Sequence, residues 1–518
     1  METSGGIQRQ NSLSRRTSGT GFGIDASLDD LRMSLRVSDG GSLRISKASR
    51  ALSFMSARRM LCTTASGTET YITCLIDDLR TSLQELGADP SNDDLEKWAI
   101  LIHECLSGDT RKFHSVHHVF EISAGCEPIQ LIAAFFRDCI SIITDGNLIG
   151  GKSVYMEGVF KEGNLLTDTV DTHLELIMDL FQLAPGTDAS HLGRGLDVFL
   201  SAVLCMRVLR HTLNMTQLAQ IATCMEATIP FRDNCKEGKS PLEQLEVRLL
   251  KAVQKYQLDM TEHNVVESIQ RAADLANRNL GNFATPDAAT FLDHTWSLLP
   301  EQSVALRRSY LYTVNDFQLA AHSMEVFLAN LNTDMIFQSF HGIPDQKEMT
   351  HFAYHTQRNL DNGKLYLRAK LLSVCIIGAF ATLTGGDAPM SFFSGDLPSL
   401  NHQSDRLGES FHRFTSEEMD DCNLCVYEIL CEGLMMEQSF DTRNSPLSAY
   451  IYGILGDSGL IAALETCTHP MTQQSSKDLL SFLPLDTVEL IGRDIAKIAV
   501  TRIAAIEELL LSYAFESV

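Results

Sequence analysis

The decapeptide RKFHSVHHVF, residues 111–120, places three imidazoles within five positions, behind a guanidinium at Arg111. On a helix, His114 and His118 stand at i,i+4 and share one face. Neutral imidazoles at that spacing can converge on one metal ion or one substrate. A bland reading stands beside this one. The same spacing recurs at His351 and His355 in HFAYH, so spacing alone predicts a structural or surface pair.

Other chemical signatures are weaker. Cys422-Asn-Leu-Cys425 has the CxxC spacing, but no second ligand pair lies nearby at the separation zinc needs. It reads as two core cysteines of a helix. GTGFG (19–23) lacks a strand–turn–helix setting and the Gly-Lys-Ser/Thr of a P-loop. GRGLDVF (193–199) reads as a helix start. There is no GxSxG elbow and no HExxH.

The context of the first histidine pair is richer. An apolar stretch, LIAAFFRDCISII (131–143), follows it, and MEATIPFR (225–232) and AADLANRNLGNF (272–283) come later. In this order the segments resemble the HD superfamily of metal-dependent phosphohydrolases. In one branch of that family an Arg-x-Tyr-His-x-x-x-His run opens a helix, and a second helix carries an apolar stretch ending in Phe-His-Asp. Arg111, Phe113, His114 and His118 match the first run, and Phe136-Arg137-Asp138 stands in place of the second. The resemblance spans about residues 70–290 and nominates Asp274 as the family's last ligand. It implies that His118, Asp138 and Asp274 hold a divalent metal, manganese or magnesium. His114 would contact the scissile phosphate and donate a proton, with Arg111 as a phosphate contact. Such a metal lowers the pKa of a bound water.

One residue departs from the pattern. Arg137 replaces the histidine of the His-Asp doublet, and a guanidinium has no lone pair for a metal and repels a cation. Arg137 can pair with Asp138, or stand in for the ion and bind an anionic phosphate, or the whole site can be a structural relic. Two functions are therefore expected. One is a degenerate relative that binds a phosphorylated ligand or a protein partner without turnover. The other is a phosphohydrolase acting on a nucleotide or another phosphate ester.

Helices must position these groups. Ile72, Leu75, Ile76, Leu79, Leu83 and Leu86 recur at three- and four-residue spacing, and Gly87 supplies a C-cap. SNDDLEKWAILIHECL (91–106) follows with capping residues and early acids. Further helical patterns cover 114–123, 128–143, 172–183, 195–210, 215–226, 241–256, 262–278, 301–331 and 486–515. VYMEGVF (154–160) reads as a short strand or a loop, and 385–410 as a long Gly/Pro/Ser-rich loop. No β–α alternation appears. The expected fold is all-α: an HD-like helical domain over 67–300, then a helical region over 301–518.

Composition sets the remaining bounds. The 518 residues carry a net charge of -24, which excludes a generally basic nucleic-acid surface. The apolar run 371–384 is too short to cross a bilayer by itself, so no membrane span is expected. The thirteen cysteines are an odd number, and Cys74, Cys105, Cys139, Cys205 and Cys375 sit in apolar runs. That usage fits free thiols in a reducing, cytoplasmic setting. Residues 1–60 carry a charge of +5 and are rich in serine, so 1–66 reads as a disordered basic tail. Thr17 and Ser18, just after Arg15 and Arg16, are candidate phosphorylation sites. An organelle-import role is the other use of such a segment.

Overall fold

The computed structural model describes residues 70–145, 152–161, 164–165, 171–188, 193, 195–308, 311–395, 406–436 and 438–516. The basic tail with Thr17 and Ser18, and residues 396–405 of the expected long loop, lie outside the described residues. Helices dominate, as the periodicity predicts, and the fold is all-α.

The first half begins with α1 (Tyr71–Glu85) and α2 (Asn92–Leu106). Thr70 caps α1 by accepting from Thr73 N at 3.3 Å. The helix stops at Gly87, where φ is +80° and Ala88 N reaches back to Leu83 O at 2.9 Å. Ser91 caps α2, with Asp93 and Asp94 at the positive end of its dipole. Next come α3 (Val116–Ser123) and α4 (Pro128–Arg137). Glu127 and Gln130 form a capping box around Pro128 at the start of α4. α4 ends six residues before the expected boundary at 143, with Asp138 as C-cap at φ -104°, ψ 12°. Short α5 (Ile142–Asp145) and α6 (Lys152–Tyr155) follow. Two-residue strands then pair antiparallel, β1 (Phe160–Lys161) with β2 (Asn164–Leu165). VYMEGVF is thus the end of α6, a turn and the first residue of β1. α7 (Thr172–Leu180), α8 (Gly195–Leu209), α9 (Met215–Ala227), α10 (Pro241–Tyr256) and α11 (Glu262–Asn279) complete this half. Its core runs from Leu75 to Ala276 and also takes in Phe340.

A second core runs from Phe283 to Tyr513. It is built from α12 (Ala288–Gln302), α13 (Val314–Ala329), α14 (Gln346–Thr384), α15 (Ser391–Ser394), α16 (Leu424–Glu432), α17 (Pro446–Glu465), α18 (Gln473–Phe482), α19 (Leu485–Ile498) and α20 (Ile503–Glu516). The division between cores therefore falls near residue 280, not 300, because α12 buries Phe291, Leu292 and Trp296 among second-core residues. Nor is 301–331 one helix. The backbone leaves α12 at Ser303 (ψ 108°), and Thr313 caps a new start at α13. α14, 39 residues long, is the spine against which α13, α17 and α18 pack. α14 and α17 are long and apolar enough to cross a membrane, and 83% of the apolar window of α14 is buried within the protein.

Candidate functional site

α3 begins at Ser115, whose hydroxyl caps it, so His114 lies just before the helix and not on it. The expected shared face therefore does not form. The His114 and His118 rings stand 6.1 Å apart and nearly perpendicular. His118 is buried in the first turn, with Nδ1 3.8 Å from Glu121, and the half-exposed His117 lies 3.6 Å from the same carboxylate. Burial pushes the Glu121 carboxyl up, but the His118 and His117 rings hold it below the usual range.

His114 takes its position from the far side of the chain. Glu301, in the last turn of α12, accepts from the backbone N–H of Phe113 at 2.7 Å and of His114 at 2.9 Å. Its other oxygen lies 2.6 Å from His114 Nδ1. That contact holds the His114 ring against the carboxylate. Burial raises the Glu301 carboxyl, and the His114 ring with the two amides reverses that and holds it low.

The arginines are also spoken for. Arg111, fully buried, grips Asp145 of α5 through Nε and Nη2 at 2.9 and 2.8 Å. Its Nη1 caps the end of α4 by donating to Asp138 O at 2.7 Å. Arg137 pairs with the Asp138 carboxylate through Nη1 and donates from Nε to Thr228 Oγ1 at 3.0 Å. Thr228 belongs to MEATIPFR, so that segment does reach the site. Burial would raise the Asp138 carboxyl. Arg137, then His114 and His118, reverse this and hold it far below the usual carboxylate range.

Asp274 is elsewhere. Its carboxylate accepts from Gln130 Nε2 at 2.9 Å and Arg278 Nε at 2.8 Å. Gln130 sits in the first turn of α4, and Asp138 caps the other end, roughly 12 Å away along the axis. The expected ligand set of His118, Asp138 and Asp274 is therefore not assembled. Among the described residues no group of three His, Cys, Asp or Glu side chains is placed to hold a metal ion. His118 Nε2 and Asp138 Oδ2 are buried without a hydrogen-bond partner, but the guanidinium on the other oxygen of Asp138 opposes a cation there. These residues do not fit the divalent metal that the resemblance implies.

Arg111, His114, Arg137, Asp138 and Glu301 instead edge a cavity of about 220 Å³ between the two cores. Phe231, Phe283 and Phe327 form one wall, with Phe231 meeting the other two edge to face. Ser141, Asn279, Asn282 and Gln302 supply uncharged polar groups. Asp197, at the start of α8, also lines it, and burial raises its carboxyl above the usual range.

Glu301, Asp145 and Asp197 have no mark in the sequence near the histidines, since Glu301 is 187 residues from His114. The CxxC reading is also corrected. Cys422 lies before α16 and Cys425 is exposed in its first turn, so they are not a pair of helical core cysteines. No family model, no curated protein and no solved structure matches this chain.

Proposed function

We propose that the chain is a degenerate HD-like protein that binds a small ligand in the 220 Å³ cavity without a metal ion and without ordinary turnover. The Arg137–Asp138 pair supports this reading most directly. The guanidinium occupies a carboxylate oxygen that a cation would need, and opening a buried pair strands a charge at a cost of roughly 3–5 kcal/mol. The cavity wall defines the ligand's chemistry. The phenylalanine cluster suits a flat apolar body, and the serine, asparagine and glutamine groups suit an uncharged polar head. Arg111 and Arg137 are already matched by Asp145 and Asp138, while Asp197 and Glu301 add negative charge. A phosphate dianion is therefore the less favoured head group.

A metal-dependent phosphohydrolase is the second reading. The unpartnered His118 Nε2 and Asp138 Oδ2 favour it. Calorimetric titration with manganese, paired with an aryl phosphate assay, separates the two. The metal-free reading expects no stoichiometric uptake and no hydrolysis. It also expects Arg137→His to destabilise the protein by a few kcal/mol without creating a tight site, because Asp274 is held at the other end of α4. One tight equivalent of manganese in the unaltered protein overturns the proposal.

A further inference from the structure

The two His-x-x-x-His runs of this chain meet opposite fates in the fold. The first forms no helical pair, because His114 precedes α3 and its ring lies against Glu301. The second does. His351 and His355 both lie near the start of α14, one turn apart on the same face. Their ring centroids are 4.4 Å apart, with the planes inclined at 69°. His351 is exposed and His355 half-buried. His355 Nδ1 is buried without a hydrogen-bond partner. Neither ring lines the cavity between the cores.

From this geometry we infer that His351 and His355 form a two-histidine site for a divalent transition metal of the zinc class, with water completing the coordination. The donor set decides the metal. Imidazole suits zinc, copper and nickel, whereas manganese and magnesium want oxygen donors. Two histidines at i,i+4 on a helix turn their ring nitrogens toward one ion, the arrangement that helical zinc motifs use. The backbone is already ordered by α14, so binding has only two side-chain rotamers left to fix. Among the described residues no third His, Cys, Asp or Glu completes a set. The site is therefore open to solvent and exchanges its metal, unlike a closed structural zinc centre.

The surroundings favour a cation. Asp345 caps α14, and Glu348 stands one turn before His351 on the same face. Burial raises the Glu348 carboxyl, and Asp345 and Asp274 raise it further. A metal ion on the neighbouring imidazoles relieves that repulsion. Arg358, one turn beyond His355, directs Nη2 to Pro286 O and to Asn359 Oδ1. Burial, then the His351 ring and Arg358, lowers His355 below the usual imidazole range. The ring is therefore neutral at pH 7 and keeps a lone pair for the metal.

The test uses the full-length protein, stripped of metal with EDTA. Its accessible thiols are capped with iodoacetamide, so that the exposed Cys425 does not compete. Calorimetric titration with zinc chloride should show one equivalent taken up. His351→Ala and His355→Ala should each weaken uptake by roughly tenfold or more, since each removes one of the two protein donors. The double variant should show none, and His118→Ala should bind as the unaltered protein does. Alanine is the best helix former, so the variants at 351 and 355 keep α14 intact, which circular dichroism checks. Copper(II) gives a second readout on the same capped protein. Its electron paramagnetic resonance should show nitrogen coupling from two imidazoles in the unaltered protein and from one in each single variant. Three results overturn the inference: no uptake by the unaltered protein, uptake that survives in the double variant, or uptake lost in His118→Ala, which would place the metal at the first pair instead.

Discussion

At the residue scale, the site is a set of neutralised charges. Asp138 answers Arg137, Asp145 answers Arg111, and Glu301 answers His114 and two amides. Asp138 and Glu301 both have folded-state carboxyls held low, so the unfolded chain binds protons more readily than the folded one. Stability from these groups is fully present above the unfolded carboxylate pKa of about 4, and it is lost as pH falls through the lower folded values. Urea unfolding should therefore give a stability that is level for these groups from neutral pH down to about 5 and falls below about 4. Asp138→Asn should lower stability at pH 7, because Arg137 keeps a buried charge without its partner, and should also flatten the acid slope. An unchanged slope in that variant would show that Asp138 is not a source of the acid sensitivity.

At the element scale, what the sequence reveals follows from how far each signal reaches. α1, α2, α9, α10 and α11 were legible because apolar spacing and local caps act within one helix. The end of α4 was hidden because Cys139, Ile140 and Ile142 continue its apolar run, although the backbone turns at Asp138 so that Arg111 can cap it. The break between α12 and α13 is hidden because Val304, Leu306 and Leu311 keep the stretch apolar, although Ala305–Arg307 form only a 3-10 turn. His114, Arg137 and Asp138 could be read as site residues, but Glu301 and the aromatic wall could not, since only the packing of one core on the other brings them there. Asp274 was misplaced because a motif gives order along the chain and not position along a helix. Asp274→Ala should therefore behave as loss of a half-exposed contact, costing about 0.5 kcal/mol. It should leave ligand binding in the cavity unchanged. A large loss of binding with little loss of stability would return Asp274 to the site.

At the scale of the whole molecule, the described residues between 70 and 516 form one compact unit although they contain two cores. The seam between the cores encloses the cavity, whose wall is largely apolar, and polar bonds add to hydrophobic burial in joining the halves there. Glu301 holds the Phe113 and His114 amides and the His114 ring, and Arg307 Nη1 donates to Thr144 O at 3.0 Å. Asn277 and Gln338 bond in both directions at 2.8 and 2.9 Å, and Phe340 reaches across into the first core. Glu301→Ala removes three of these bonds and leaves two amides and an imidazole without their acceptor, a loss of about 3–5 kcal/mol. Because that loss falls on the seam, it should separate the melting of the two cores as well as lower it. Calorimetry should show one transition in the unaltered protein and a calorimetric enthalpy exceeding the van't Hoff enthalpy in the variant. A ligand in the cavity touches both cores and should raise the whole transition by mass action in the unaltered protein, but mainly one component in the variant. A single, merely earlier transition in Glu301→Ala would place the coupling in Phe340 and the Asn277–Gln338 bonds instead.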